Sequence, residues 1–276
     1  MIRSALALTV LLGAAVVATA PAPTRAGGFT PANFAAWIRM RAGTDGKPVY
    51  WYATGQVMND TTGEVMSRID GVDVALAFRD PAKPDTWIQL SRKIFILLDP
   101  KTGARQLDAD GRPRRATAYP FQVKTYTLQG DEILYSVESH DSARVFSEPP
   151  RTNYTARELG GVTHYNYAMF IDRVRVDGQR SRRFEVNDFF LRAGKDLGDT
   201  ERYQYTWVGT GPGPIVSSVL SWRYVSFDAM PGEALKAFIR NEAPLWLRPP
   251  KDLAEIAALR AQQPWQPTSV VAPTAP

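Results

Sequence analysis

Side chains alternate faces along a β-strand, and in GKPVYWYATGQVMND (46–60) that alternation leaves neither face wet. Val49, Trp51, Ala53 and Gly55 fall on one side; Tyr50, Tyr52, Thr54 and Gln56 fall on the other. A surface strand of a sandwich is apolar on one face and polar on the other. Aromatics on both faces predict either a second packed layer or a cavity with an occupant. THYNYAMFIDRVRV (163–176) repeats the pattern, with His164, Asn166, Ala168 and Phe170 set against Tyr165, Tyr167, Met169 and Ile171. A third such stretch, 203–208, contains Trp207.

Between Lys47 and Tyr224, strand-like runs are separated by tight-turn signals such as NDTTG (59–63), DPKTG (99–103), QGD (129–131) and VDGQRS (176–181). Runs joined by short Asp/Gly turns pair antiparallel. No strand–helix alternation appears, which argues against a parallel α/β sheet. The expected fold is mainly β: a curled antiparallel sheet or barrel-like domain. A short helix is predicted over TPANFAAWIRMRAG (30–43), where Thr30 caps, Pro31 opens and Gly43 closes. Two more follow the strands, over 230–244 and 251–263. The predicted order is a leader (1–26), one β-rich domain (27–250), then a helix and a disordered Pro/Ala-rich tail (251–276). The terminal helices are expected outside the sheet.

The N-terminus reads as a secretory signal. Arg3 precedes the apolar run Ser4–Ala20, and small residues follow it. Pro21 disfavours a cut after Ala20, so cleavage is expected after Ala26. The 276-residue chain has no cysteine, which excludes disulfides and lipid attachment at a thiol. We expect a periplasmic or secreted bacterial protein with no stable membrane insertion once the leader is removed. The formal net charge of +5 falls further when Arg3 and Arg25 leave with the leader. Export and interspersed charge argue against nucleic acid as a partner.

Several stretches carry a resemblance: FAAWIRMRAGTDGKPVYWYATGQV, RKIFILLDPKTG, FEVNDFFLRAGKDLGD, YTWVGTGPGPIVSSVLSWRYVSF and MPGEALKAFIRNEAPLWLRPP. In their order along residues 34–250 the chain resembles a family of exported bacterial proteins, the domain of unknown function family 1838. Where that family tends to show tryptophans and a Pro-Trp-Met run, this chain has the smaller GTGPGPIV. The resemblance implies export and a single domain, and assigns no catalyst.

The chemistry available is narrow. With only His140 and His164, a zinc-binding HExxH is impossible. There is no G-x-S-x-G elbow, and GTGPGP (209–214) lacks dinucleotide spacing. No metal and no cofactor are expected. In EILYSVESHD (132–141), Glu138 and His140 share one strand face, where a carboxylate beside an imidazole makes an orienter and general base; a solvated face near a strand end is the preferred reading, since such i,i+2 charged pairs are common on outer faces. His164 and Asn166 offer a second polar pair. In RRFEVNDFFLR, Glu185 needs a partner if buried, which Arg183 or Arg223 would supply.

Two function classes follow. One is a binding module for a small apolar or aromatic molecule, with Tyr50, Tyr52, Tyr165 and Tyr167 on an inner wall and Asn166, Glu185 and Trp207 nearby. The other is a cofactor-free acid/base enzyme (a lyase, isomerase or hydrolase) using His140 with Glu138, or His164. A fully packed core would explain the same aromatics.

Overall fold

The first helix begins where the sequence places it. Thr30 Oγ1 accepts from the Asn33 amide at 3.3 Å, and Asn33 Oδ1 accepts from the Thr30 amide at 2.7 Å. This reciprocal cap opens α1 (Pro31–Arg41) with proline in its first turn. At its exit the Ala77 amide donates to Gly43 O at 2.7 Å. A Cβ on Gly43 would lie 1.6 Å from Lys47 O, so only glycine fits there. Our computed structural model describes residues 28–140, 142–148, 155–175, 180–211 and 213–262. The expected leader, the Pro/Ala-rich tail, Asp141 and residues 176–179 of the VDGQRS turn lie outside the described residues.

Among the described residues eleven strands follow: β1 (Val49–Asn59), β2 (Val65–Asp80), β3 (Lys83–Leu98), β4 (Thr117–Gln129), β5 (Glu132–Ser139), β6 (Ser142–Glu148), β7 (Thr155–Glu158), β8 (Val162–Arg175), β9 (Arg180–Arg192), β10 (Tyr203–Thr210) and β11 (Ile215–Tyr224). All belong to one sheet in the order β6-β5-β4-β3-β2-β1-β11-β10-β9-β8-β7. Every named pairing is antiparallel. β6 also pairs with β8, so the hydrogen-bonded ladder curls round and returns to itself. The fold is therefore mainly β, a curled antiparallel sheet with a short N-terminal helix and further helices at the C-terminus. These are α3 (Glu233–Glu242), a 3₁₀ turn (Pro244–Leu247) and α4 (Leu253–Ala261). A four-residue helix, α2 (Asp199–Arg202), joins β9 to β10.

β1 has something on each side, as its alternation demands, whereas Val208 on the outer face of β10 is exposed. On the convex side Tyr50 and Tyr52 pack with Val72, Val74, Ile94 and Ile96 beneath Leu235, Phe238, Ile239 and Trp246 of α3 and the 3₁₀ turn. Trp246 Nε1 donates to Lys93 O at 2.8 Å, and Tyr50 OH donates to Leu247 O at 3.0 Å. Further along, Ile256 and Leu259 of α4 cover Ile88, Leu90 and Phe121. Each such apolar side chain contributes roughly 1.5–3 kcal/mol.

α1 does not lie outside the sheet as expected. It fills one end of the concave side, where Trp37 meets Tyr165, Tyr167 and Phe189 at ring separations of 5.4, 6.0 and 4.7 Å. Trp51 Nε1 donates to Arg41 O at 3.2 Å, and Tyr165 OH donates to Asn33 O at 3.2 Å. The physical reason is the spread of apolar residues on the helix. Phe34, Trp37, Ile38, Met40 and Arg41 are all buried and cover more than one face, which a helix lying on an outer surface would leave wet.

Candidate functional site

The inward positions follow a common order on strand after strand. On β2 they run Ala77, Ala75, Asp73, Gly71, Ile69; on β3, Trp87, Gln89, Ser91, Lys93, Phe95, Leu97. On β4, Leu128 and Tyr126 give way to Lys124 and Gln122, and on β9 Phe189 gives way to Asn187. The aromatic end packs with α1, and Ala53, Ile69, Val219, Phe95, Leu97 and Trp207 form an apolar layer at the other. A polar band lies between them, inside the curl of the sheet. Arg41, the last residue of α1, reaches it from above.

Charge in this band is concentrated and dry. Asp73 Oδ2 lies 3.3 Å from Lys93 Nζ and 3.6 Å from Lys124 Nζ. Lys124 is 2 % exposed. Burial pushes its ammonium well below the ordinary lysine value; Asp73 opposes that shift, while Lys93 and Arg41 add to it. Burial alone would raise Asp73, but Lys124, Lys93 and Arg41 together hold its carboxyl below the usual range. The Arg41 guanidinium lies over the Phe189, Trp37 and Tyr205 rings at 4.7, 5.7 and 5.9 Å.

Two amides in the band are oriented by tyrosines. Tyr126 OH donates to Gln89 Oε1 at 3.1 Å, and Tyr205 OH donates to Asn187 Oδ1 at 2.8 Å. Burial raises both phenols, so they are neutral donors. The opposite ends, Gln89 Nε2 and Asn187 Nδ2, are buried without a hydrogen-bond partner. So are Lys124 Nζ, Ser91 Oγ, Gln122 Oε1, Ser221 Oγ, Asp73 Oδ1 and Arg41 Nε. Buried polar atoms are normally satisfied, so a cluster of them facing one interior marks where something polar can bind. Among the described residues no three His, Cys, Asp or Glu side chains form a group able to hold a metal.

The structure disperses the residues chosen from sequence. Tyr165 and Tyr167 do face the interior, packed on α1, but Tyr50 and Tyr52 face outward beneath α3, because neighbours in β1 alternate. The four tyrosines therefore do not share one inner wall. Glu138 points outward to an ion pair with Arg260 of α4, and the ring of His140, just past β5, meets Tyr119 edge-on at 5.9 Å. His164 and Asn166 lie on the outer face of β8, where His164 Nε2 is 2.8 Å and Asn166 Nδ2 2.7 Å from Asp188 Oδ1. The His164 ring stacks on Phe190 at 5.0 Å. Register sets the histidines apart, since Ser139 aligns through Ser142 with Arg175. That is roughly 35 Å of strand from His164. Glu185 and Trp207 occupy inward positions of β9 and β10. Arg223 does not serve Glu185: it lies 3.3 Å from Asp199 and over the Tyr203 ring at 4.4 Å.

Asp73, Lys93, Lys124, Gln89 and Asn187 were not singled out by the sequence. In TWIQLSRKIFILL and FQVKTYTLQ the alternation of Gln89, Lys93 and Lys124 is that of a solvated face, and no local signal separates the two cases. Asp188, which holds both His164 and Asn166, is found only through the pairing Asn166↔Asp188. No protein-family model matches this chain, and no curated protein matches it.

Proposed function

We propose that the protein is an exported binding module whose curled sheet takes up a small molecule with an aromatic or apolar body and an anionic or strongly polar head. The carrying observation is the buried band of unpartnered polar atoms around Lys124, between two apolar layers. Arg41 and Lys93 face the single carboxylate of the band, Asp73, so the band favours an anion. Gln89 Nε2 and Asn187 Nδ2 add donors that a carboxylate or enolate oxygen would satisfy. Tyr126 and Tyr205, whose hydroxyls reach the band, would border the body of the ligand. Location outside the cytoplasm rests on the leader pattern, and kinship with family 1838 on the quoted stretches; both belong to the same proposal.

Native mass spectrometry on protein purified gently from the periplasm tests the reading, followed by a titration with benzoate monitored by tryptophan fluorescence. A discrete added mass, or saturable quenching by benzoate that is weakened at least tenfold in Lys124→Met, is the expected result. A clean mass together with no benzoate response overturns it. His164→Ala, altered on the opposite face of the sheet, is expected to bind benzoate as the unaltered protein does.

A further inference from the structure

Lys124 combines features that binding alone does not require. Its ammonium is buried and faces the interior, with the Asp73 carboxylate 3.6 Å away. The groups around it come from several elements: Asp73 from β2, Lys93 and Gln89 from β3, Tyr126 from its own strand and Arg41 from α1, while its partner on β5 is the apolar Val137. A lysine that is desolvated and placed next to other cations is a nucleophile near neutral pH, because its charged form is disfavoured. Burial and the two neighbouring cations act in that direction here. The carboxylate at 3.6 Å can take the proton that leaves.

Building on the binding reading, we infer that Lys124 Nζ is a reactive amine that condenses with the carbonyl of a small aromatic aldehyde or ketone held in the polar band. The ammonium passes one proton to Asp73. The freed amine attacks the carbonyl carbon, forming a C–N bond as the carbonyl π pair moves to oxygen, and the newly bonded nitrogen passes one of its protons to that oxygen to give a neutral carbinolamine. Asp73 returns its proton to the carbinolamine hydroxyl, the C–O bond breaks, and water leaves. The product is an iminium linkage to the protein, with one water released per bond formed. Gln89 Nε2 is a donor for the oxygen while it carries charge.

The test treats the full-length mature protein with benzaldehyde and sodium cyanoborohydride, whose hydride reduces the iminium to a stable amine. Intact mass and peptide mapping then locate the adduct. One benzyl addition at Lys124, at least tenfold faster than at surface lysines and absent from Lys124→Met, is expected. His164→Ala, altered on the outer face of β8, is the second variant: it is expected to retain the adduct, and circular dichroism on both variants guards against a misfolded Lys124→Met. Labelling spread evenly over surface lysines overturns the inference. The benzoate titration separates the two proposals. Benzoate binding without a Lys124 adduct removes only the amine chemistry, whereas an adduct without benzoate binding removes only the anion preference. Neither signal removes both.

Discussion

Tyr205 OH donates to Asn187 Oδ1 across adjacent strands at 2.8 Å, and this bond decides which end of the amide faces the interior. With its oxygen engaged, Asn187 presents two N–H donors from a site only 2 % exposed. Tyr126 does the same for Gln89. The two tyrosines thus convert ambivalent amides into donors, which suits an anion.

Tyr205→Phe keeps the ring and removes that constraint. Benzoate affinity is expected to fall about fivefold, corresponding to about 1 kcal/mol. Fluorescence titration measures it, and an affinity equal to that of the unaltered protein would mean Asn187 takes no part in binding.

Asp73→Asn takes the shared carboxylate from Lys93 and Lys124. Leaving buried cations uncompensated costs about 3–5 kcal/mol. Adding Lys124→Met to Asp73→Asn is expected to restore part of that loss, because one stranded charge goes with it. Urea unfolding of the two single variants and the double variant measures the coupling. Strictly additive losses would show that the pair does not act as a unit.

Glu255 anchors α4. It accepts from Arg92 at 2.6 Å, from Arg248 at 2.9 Å and from the Lys251 amide at 2.7 Å. Burial alone would raise its carboxyl, but these bonds outweigh it and hold the pKa down to about 2. A depressed acid contributes stability above its unfolded pKa and loses it as pH falls through the folded one. The contribution is therefore complete above about pH 4.5 and fades towards pH 2. Glu255→Gln should cost on the order of 1–3 kcal/mol at neutral pH. Its stability should also be flatter than that of the unaltered protein across this acid window. Urea midpoints between pH 2 and 7 make the comparison, and parallel curves would refute the assignment.

Trp37 is fully buried on α1 and touches three aromatic rings of β8 and β9. Trp37→Ala is expected to lose about 3–5 kcal/mol. Chemical denaturation measures this. A loss below 1 kcal/mol would mean that α1 is not packed within the curl.

Much of the fold was legible along the chain. Turn signals such as NDTTG and QGD fall at strand junctions. The Thr30 cap and Pro31 placed α1, and the aromatic alternation of residues 49–57 correctly demanded material on both sides of β1. The candidate site was not legible. Glu138 and His140 look like a pair on paper, but Glu138 is taken by Arg260, a residue more than a hundred positions away.

By itself, then, the sequence determined the strand-and-turn grammar, the antiparallel class and the caps, because these depend on neighbours within a few residues. Tertiary structure decided which side of each strand became the inside. A polar stripe such as Gln89, Ser91 and Lys93 is compatible with water or with a buried band, since alternation specifies two faces and not their environments. Only the curl of the sheet, the return of β6 onto β8, and the insertion of α1 placed those side chains together around Asp73 and Lys124.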